Sequence, residues 1–166
     1  MTPLLRISEA AVVTTIDEVA RASSDVREAA AFWTGSQQDL RVGAIVIPEG
    51  RGVELHPLSI HISEEWMNLL GEFCEETSRI VLGGVHCHPE DWSAYSDIDA
   101  DGFFHAPDFV SVVFPHYGKT EMARADEDWG LYVGQPWGAW RRSHWSEEVE
   151  LESSGDVLPI VRLRLP

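Results

Sequence analysis

Apolar side chains return at three- and four-residue steps at Ala11, Val12, Ile16, Val19 and Ala20, which predicts a helix over residues 9–22 with one buried face. A short strand over residues 4–7 precedes it. Ser23, Ser24 and Asp25 break the pattern, and the apolar run 26–34 reads as a strand ending at Gly35, with Glu28 early in it. Residues 40–47 form a second extended run. Pro48, Glu49 and Gly50 read as a turn before a third run over 53–62, with hairpin pairing expected between neighbours. Ser63 is placed to cap a helix whose first turn carries Glu64 and Glu65, and Trp66, Leu69, Leu70 and Phe73 line one side of it as core. Residues 80–85 are continuously apolar and include Gly83 and Gly84, as in a strand buried on both faces with something packed close to its backbone. That strand delivers the chain to His86. A helix is expected after Ser96, a buried strand at 109–114, and further strands and turns at 130–133, 139–145 and 158–165. No repeat or low-complexity stretch intervenes, so the expected fold class is α/β (α+β), with a curved mixed central sheet flanked by helices.

The chain of 166 residues fits one domain over residues 1–166 with a sizeable core. No stretch approaches the roughly 18 consecutive apolar residues of a membrane-spanning helix, so a soluble protein without a membrane partner is expected. The first residues show no basic start followed by an apolar block, and a cytoplasmic location follows as an expectation. Cys74 and Cys87 are the two cysteines, read as reduced thiols rather than a disulfide scaffold. Twelve basic against 28 acidic side chains give a formal charge of −16, a field that repels phosphate backbones and argues against a nucleic-acid partner. Nothing in the pattern selects an oligomeric state.

The chemistry concentrates in GGVHCHPEDWSAYSDID, residues 83–99. Side chains alternate across a strand, so His86 and His88 point to one side and can share an ion while Cys87 points away. Asp99 follows Ser96 by three residues, a spacing that on a helix puts the hydroxyl and the carboxylate on one face. Two imidazoles and a carboxylate leave the fourth tetrahedral position of Zn2+ open, the arrangement of a catalytic rather than a structural site. Hydrolysis at such a site calls for a carboxylate that is not itself a ligand, to move protons, and Ser96 can serve an oxyanion.

His86, His88, Ser96 and Asp99 match HxHx7SxxD residue for residue, and in this the chain resembles the JAMM (MPN+) zinc metallopeptidases, many of them deubiquitinases. That family also carries an upstream glutamate in a setting resembling ExxGxLxG; here EAAAFWTG, residues 28–35, keeps the glutamate and the last glycine while Ala31 and Trp33 replace the usual glycine and leucine. The resemblance covers roughly residues 4–114. It implies His86, His88 and Asp99 as zinc ligands, Glu28 as catalytic base and Ser96 as a second catalytic residue; Glu49 and Glu54, on less suitable turn or strand positions, are the fallback bases. It further implies an isopeptidase cutting after the C-terminal glycine of a ubiquitin-like protein or its conjugate, alongside cognate activating and conjugating enzymes. The compact chain is similar to the bacterial branch, in which relatives serve conjugation or antiphage systems or process sulfur-carrier proteins. A non-catalytic MPN-type scaffold and a DNA-associated role are the other readings; the intact ligand set argues against the first and the acidity against the second.

The remaining histidines, His56, His61, His105, His116 and His144, show no second ligand spacing. Trp129, Trp137, Trp140 and Trp145 lie near Arg141 and Arg142, a combination that can stack on bases or a peptide but is explained more simply by strand packing.

Overall fold

The protein is described by a computed structural model covering residues 2–96, 99, 105–153 and 155–166. The first helix, α1 (Glu9–Ser23), follows strand β1 (Leu5–Ser8), and the Ser8 side chain accepts from the Ala11 N–H to satisfy an otherwise orphaned donor. Then come β2 (Ala30–Gly35), β3 (Val42–Glu49), β4 (Val53–His56), β5 (Ser59–Ile62) and α2 (Glu64–Glu76), where Ser63 caps as its position foretold by accepting from Trp66 N–H. Strands β6 (Ile80–Cys87), β7 (Val110–Phe114), β8 (Gly130–Gly134), β9 (Trp140–Ser143), β10 (Val149–Glu152) and β11 (Ile160–Arg164) complete the regular structure discussed below. Most of the helix expected after Ser96 falls outside the described residues; Asp99 itself is helical.

Seven strands form one mixed sheet in the order β11-β3-β2-β6-β7-β8-β9, with β11–β3 and β6–β7 parallel and the other pairs antiparallel. The expected mixed sheet flanked by helices is therefore what forms. α1 packs on one face, where Val12, Ile16 and Val19 meet Ala31, Trp33, Val85 and Val112; α2 packs on the other, where Trp66 and Leu70 meet Phe32 and Val46. Among the described residues no helix is long and apolar enough to cross a membrane.

Two departures from the sequence reading have local causes. Strand β3 runs on through Pro48 and Glu49 instead of turning there. Ile45 N–H donates to Pro159 O on the β11 side, so by alternation position 48 faces β2, and the β2–β3 ladder begins only at Phe32↔Val46. The proline thus lacks a donor where no acceptor waits. The run 53–62 is not one strand but the two arms of a separate hairpin, β4 with β5, turning at Pro57 and Leu58.

Gly83 and Gly84 do admit close neighbours: a Cβ on Gly83 would stand 2.7 Å from Val110 O and 3.2 Å from the Trp33 ring. Trp33, where the resembled family has leucine, fills that space, and its Nε1–H donates to Thr15 Oγ1 at 3.0 Å beneath α1. Thr15→Val keeps the shape but strands this buried N–H, so a loss of about 1–3 kcal/mol is expected in urea unfolding. No change in midpoint would mean that the Trp33 indole finds another acceptor.

Candidate metal centre

The site sits where β6 ends. Ala30↔His86 and His86↔Val113 pairings place His86 in the middle of the sheet, and His88, one residue past the strand, is anchored by its N–H to Phe114 O at 2.9 Å. Because β6 and β7 are parallel, the chain must cross over between them, and this crossover carries Trp92, Tyr95, Ser96 and Asp99 back across the strand end. Pleating sends Cys87 the other way, into the α1 side of the core.

Three buried ligand side chains converge. His86 Nε2 and His88 Nε2 are 3.2 Å apart, Asp99 Oδ1 is 3.3 Å from His86 Nε2, and Asp99 Oδ2 is 3.2 Å from His88 Nε2. Two ligands at about 2.0–2.1 Å from one ion, held at the tetrahedral angle, stand about 3.3 Å apart. Without an ion, two neutral imidazoles facing each other through Nε2 can share only one proton. The donor set therefore fits a metal ion, and among the described residues His86, His88 and Asp99 form the group that could hold one.

The protonation states agree. Burial pushes the His86 imidazole below its usual value, against the pull of Asp99, leaving it neutral as a ligand must be. Burial opposes ionisation of Asp99 too, but hydrogen bonds from His86, His88 and the Ser96 N–H outweigh it and hold the carboxyl well below the usual carboxylate range. Ser96 and Asp99 bond reciprocally: Ser96 N–H and Oγ–H donate to Asp99 Oδ2 at 2.7 and 2.8 Å, and Asp99 N–H donates to Ser96 Oγ at 3.1 Å. This is a helix cap that also aims the carboxylate.

Glu28 lies beside the group, with Oε1 3.8 Å from His88 Nε2 and without a hydrogen-bond partner among the described residues. It is not within a strand, as its sequence context implied; β2 starts two residues later, at Ala30. The ladder is replaced by irregular contacts: Glu28 N–H donates to His56 O of the hairpin at 2.8 Å, and Ala29 N–H donates to Cys87 Sγ at 3.3 Å. Burial, reinforced by the Asp99 charge, pushes the Glu28 carboxyl up to about 8. A carboxyl whose folded value is raised contributes stability that is full below its ordinary value near 4.5 and is lost as pH rises through about 8. Metal-free protein should therefore lose up to about 4 kcal/mol relative to Glu28→Gln between pH 5 and 8. Parallel melting curves of the two proteins in chelator across that range would show Glu28 to be ordinary.

The other candidates lie elsewhere. Glu49 is clamped by Arg162 and Arg164, and Glu54 is exposed on β4 beside His56. His105 contacts Ala139 O, outside the ligand group. Trp129 and Trp145 are core residues, Trp140 packs on Tyr95 and Phe109, and Trp137 alone of the four is fully exposed, so packing accounts for most of that cluster. Sequence reasoning passed over two aromatic neighbours: Trp92, 43% exposed, stacks on His88 with centroids 4.5 Å apart, and Tyr95 meets His86 edge-on. Their place inside the motif was the available signal.

No protein-family model matches the chain, and no curated protein matches it. By structure it is similar to a protein from Desulfitobacterium hafniense solved in solution, with a TM-score of 0.58 and 15% identity over 90% of this chain and 94% of that one. It is also similar, at a TM-score of 0.46 and 16% identity over 89% of this chain and 97% of the other, to a JAB1/MPN domain protein from Archaeoglobus fulgidus. The likeness to the D. hafniense protein is one of fold, and the chemistry of this chain rests on its own residues.

Proposed function

We propose that the protein is a zinc-dependent isopeptidase or peptidase of the JAMM type, cutting after the C-terminal glycine of a ubiquitin-like protein or its conjugate. The observation that carries this reading is the convergence of His86, His88 and Asp99 within bonding reach of one ion, with Glu28 Oε1, which has no hydrogen-bond partner among the described residues, 3.8 Å from His88 Nε2. The motif HxHx7SxxD supports it in sequence. Zinc suits two neutral imidazoles and a carboxylate, and when bound it lowers the pKa of water and polarises a carbonyl. Glu28 takes the proton of the attacking water and returns it to the leaving amine, a task that fits a buried carboxyl whose affinity for protons is raised toward neutrality. Ser96 holds Asp99 in place, and turning its hydroxyl from Asp99 toward the substrate would let it serve the oxyanion.

A tail ending in glycine reaches the end of β6 without side-chain clash, and a globular partner docked elsewhere supplies specificity. The test is a zinc-loaded assay with fusions of a ubiquitin-like protein. Cleavage after the terminal glycine is expected, with a bulky residue at that position lowering the rate far more than it weakens binding. Equal cleavage of unrelated unfolded peptides would remove the ubiquitin-like substrate and leave the hydrolytic chemistry.

A further inference from the structure

Three consecutive residues just after β7, His116, Tyr117 and Gly118, have φ of 53°, 54° and 86°. Left-handed backbone is uncommon for a bulky side chain and persists where surrounding contacts over-determine it. At Tyr117 three directed polar contacts add to its packing against the core. Its N–H donates to His88 O at 2.7 Å, its carbonyl accepts from Ser23 Oγ at 2.8 Å, and its hydroxyl donates to Pro57 O at 3.0 Å. Gly118 wedges the same loop onto α1, since a Cβ there would stand 3.0 Å from Ala20 N. Tyr117 is thus fastened to α1 and to the carbonyl of one candidate ligand, and from that footing it reaches the tip of the β4–β5 hairpin.

That tip is where Glu28 is held. Pro57 follows His56, and it is the His56 carbonyl that receives the Glu28 N–H. The hairpin is a two-stranded sheet outside the main one, and residues 56–58 at its turn are exposed, with Leu58 64% exposed. A two-stranded ribbon is marginal by itself, so its tip depends on outside ties for a fixed position. A closed circuit results: His88 to Tyr117 through the backbone, Tyr117 to Pro57 through the hydroxyl, His56 to Glu28 through the backbone, and Glu28 back to His88 across 3.8 Å.

We propose that Tyr117 is a positioning residue whose hydroxyl clasps the β4–β5 hairpin to the strand end bearing His86 and His88, and so sets where the Glu28 carboxyl stands relative to the ligand group. The proposal rests on Glu28 serving as the base. A displacement of about 1 Å in a reacting group can cost roughly 10²-fold in rate, so one hydroxyl at the circuit's open side can control turnover without touching substrate.

The decisive variant is Tyr117→Phe in the full zinc-loaded chain, which removes the hydroxyl and keeps ring and backbone. Amide hydrogen exchange is expected to quicken roughly fivefold or more at Glu28 and at residues 58–62, with zinc content and melting temperature unchanged. On a fusion that the wild type cleaves, kcat should fall about tenfold with KM within about twofold, the split expected of misplacement rather than lost binding. Unchanged exchange at Glu28 would overturn the clasp. Faster exchange with unaltered kcat would overturn its role in positioning, as would a fall in kcat that merely follows lost zinc or a lowered melting temperature. Should the wild type cleave no fusion, the isopeptidase reading fails by itself, and the exchange arm still decides whether Tyr117 holds Glu28.

Discussion

His88→Ala and Asp99→Ala are each expected to strip the centre of its ion while the sheet stays folded. Zinc sites bound by four protein ligands in small domains are worth about 10–16 kcal/mol, or roughly 3 kcal/mol per ligand, so loss of one donor should weaken binding by about 10²–10³-fold. The two variants fail for different physical reasons. Asp99→Ala removes the anion that both imidazoles face at 3.2–3.3 Å and frees Ser96 from its cap. His88→Ala leaves Asp99 with the His86 contact and takes away the ring on which Trp92 stacks. Because His88 lies past the end of β6 and its backbone bond to Phe114 is kept, circular dichroism should change little. Elemental analysis after desalting provides the check: zinc retained at wild-type stoichiometry in both variants would overturn the ligand assignment.

Local signals carried the parts of the fold that local physics determines. The α1 periodicity gave a helix over 9–22, and Glu9–Ser23 forms, with Ser8 as its cap. α2 starts at the residue after Ser63, with Trp66 and Leu70 buried as the stripe implied. What escaped depends on partners distant in sequence. Strand β10 is four residues with Glu150 and Leu151 exposed at its centre, and it exists because Leu5↔Val149 and the three following pairs join it to β1 across the length of the chain. Pro57 was the available clue to the turn between β4 and β5, overridden by the apolar, β-branched residues on either side.

The site shows the same division. Spacing alone put His86 and His88 on one side of a strand end, and the pleat delivers that. That Glu28 comes to lie beside His88 could be inferred only through resemblance, since 60 residues do not constrain their own closure; the contact is made because Ala29 and Cys87 exchange bonds across the β2–β6 boundary. The strand assigned to residues 26–29 failed for a related reason. A cysteine sulfur and a hairpin carbonyl take the places a ladder would supply, and neither partner is legible from alternation.

Glu28→Gln is expected to reduce turnover by about 10³-fold or more while zinc and fold remain, because the amide keeps the shape of the carboxyl but cannot carry a proton. The environment sharpens the expectation. Glu28 is buried, its Oε1 has no hydrogen-bond partner among the described residues, and it faces the ligand group at 3.8 Å, so the group is neither stabilising a helix end nor paired with a cation. Its carboxyl is pushed up to about 8 by burial and by Asp99. A cation held by His86, His88 and Asp99 opposes that shift, bringing the proton affinity into the range where a base both takes and returns a proton near neutral pH. Retention of zinc separates this variant from the ligand substitutions, and retained stability is expected because glutamine presents the neutral form that the site already favours. Turnover of the ubiquitin-like fusion, zinc content and circular dichroism measured on one preparation test all three parts. Near wild-type turnover would take the role from Glu28, and with Glu49 clamped between Arg162 and Arg164, Glu54 on the hairpin would become the residue to replace next.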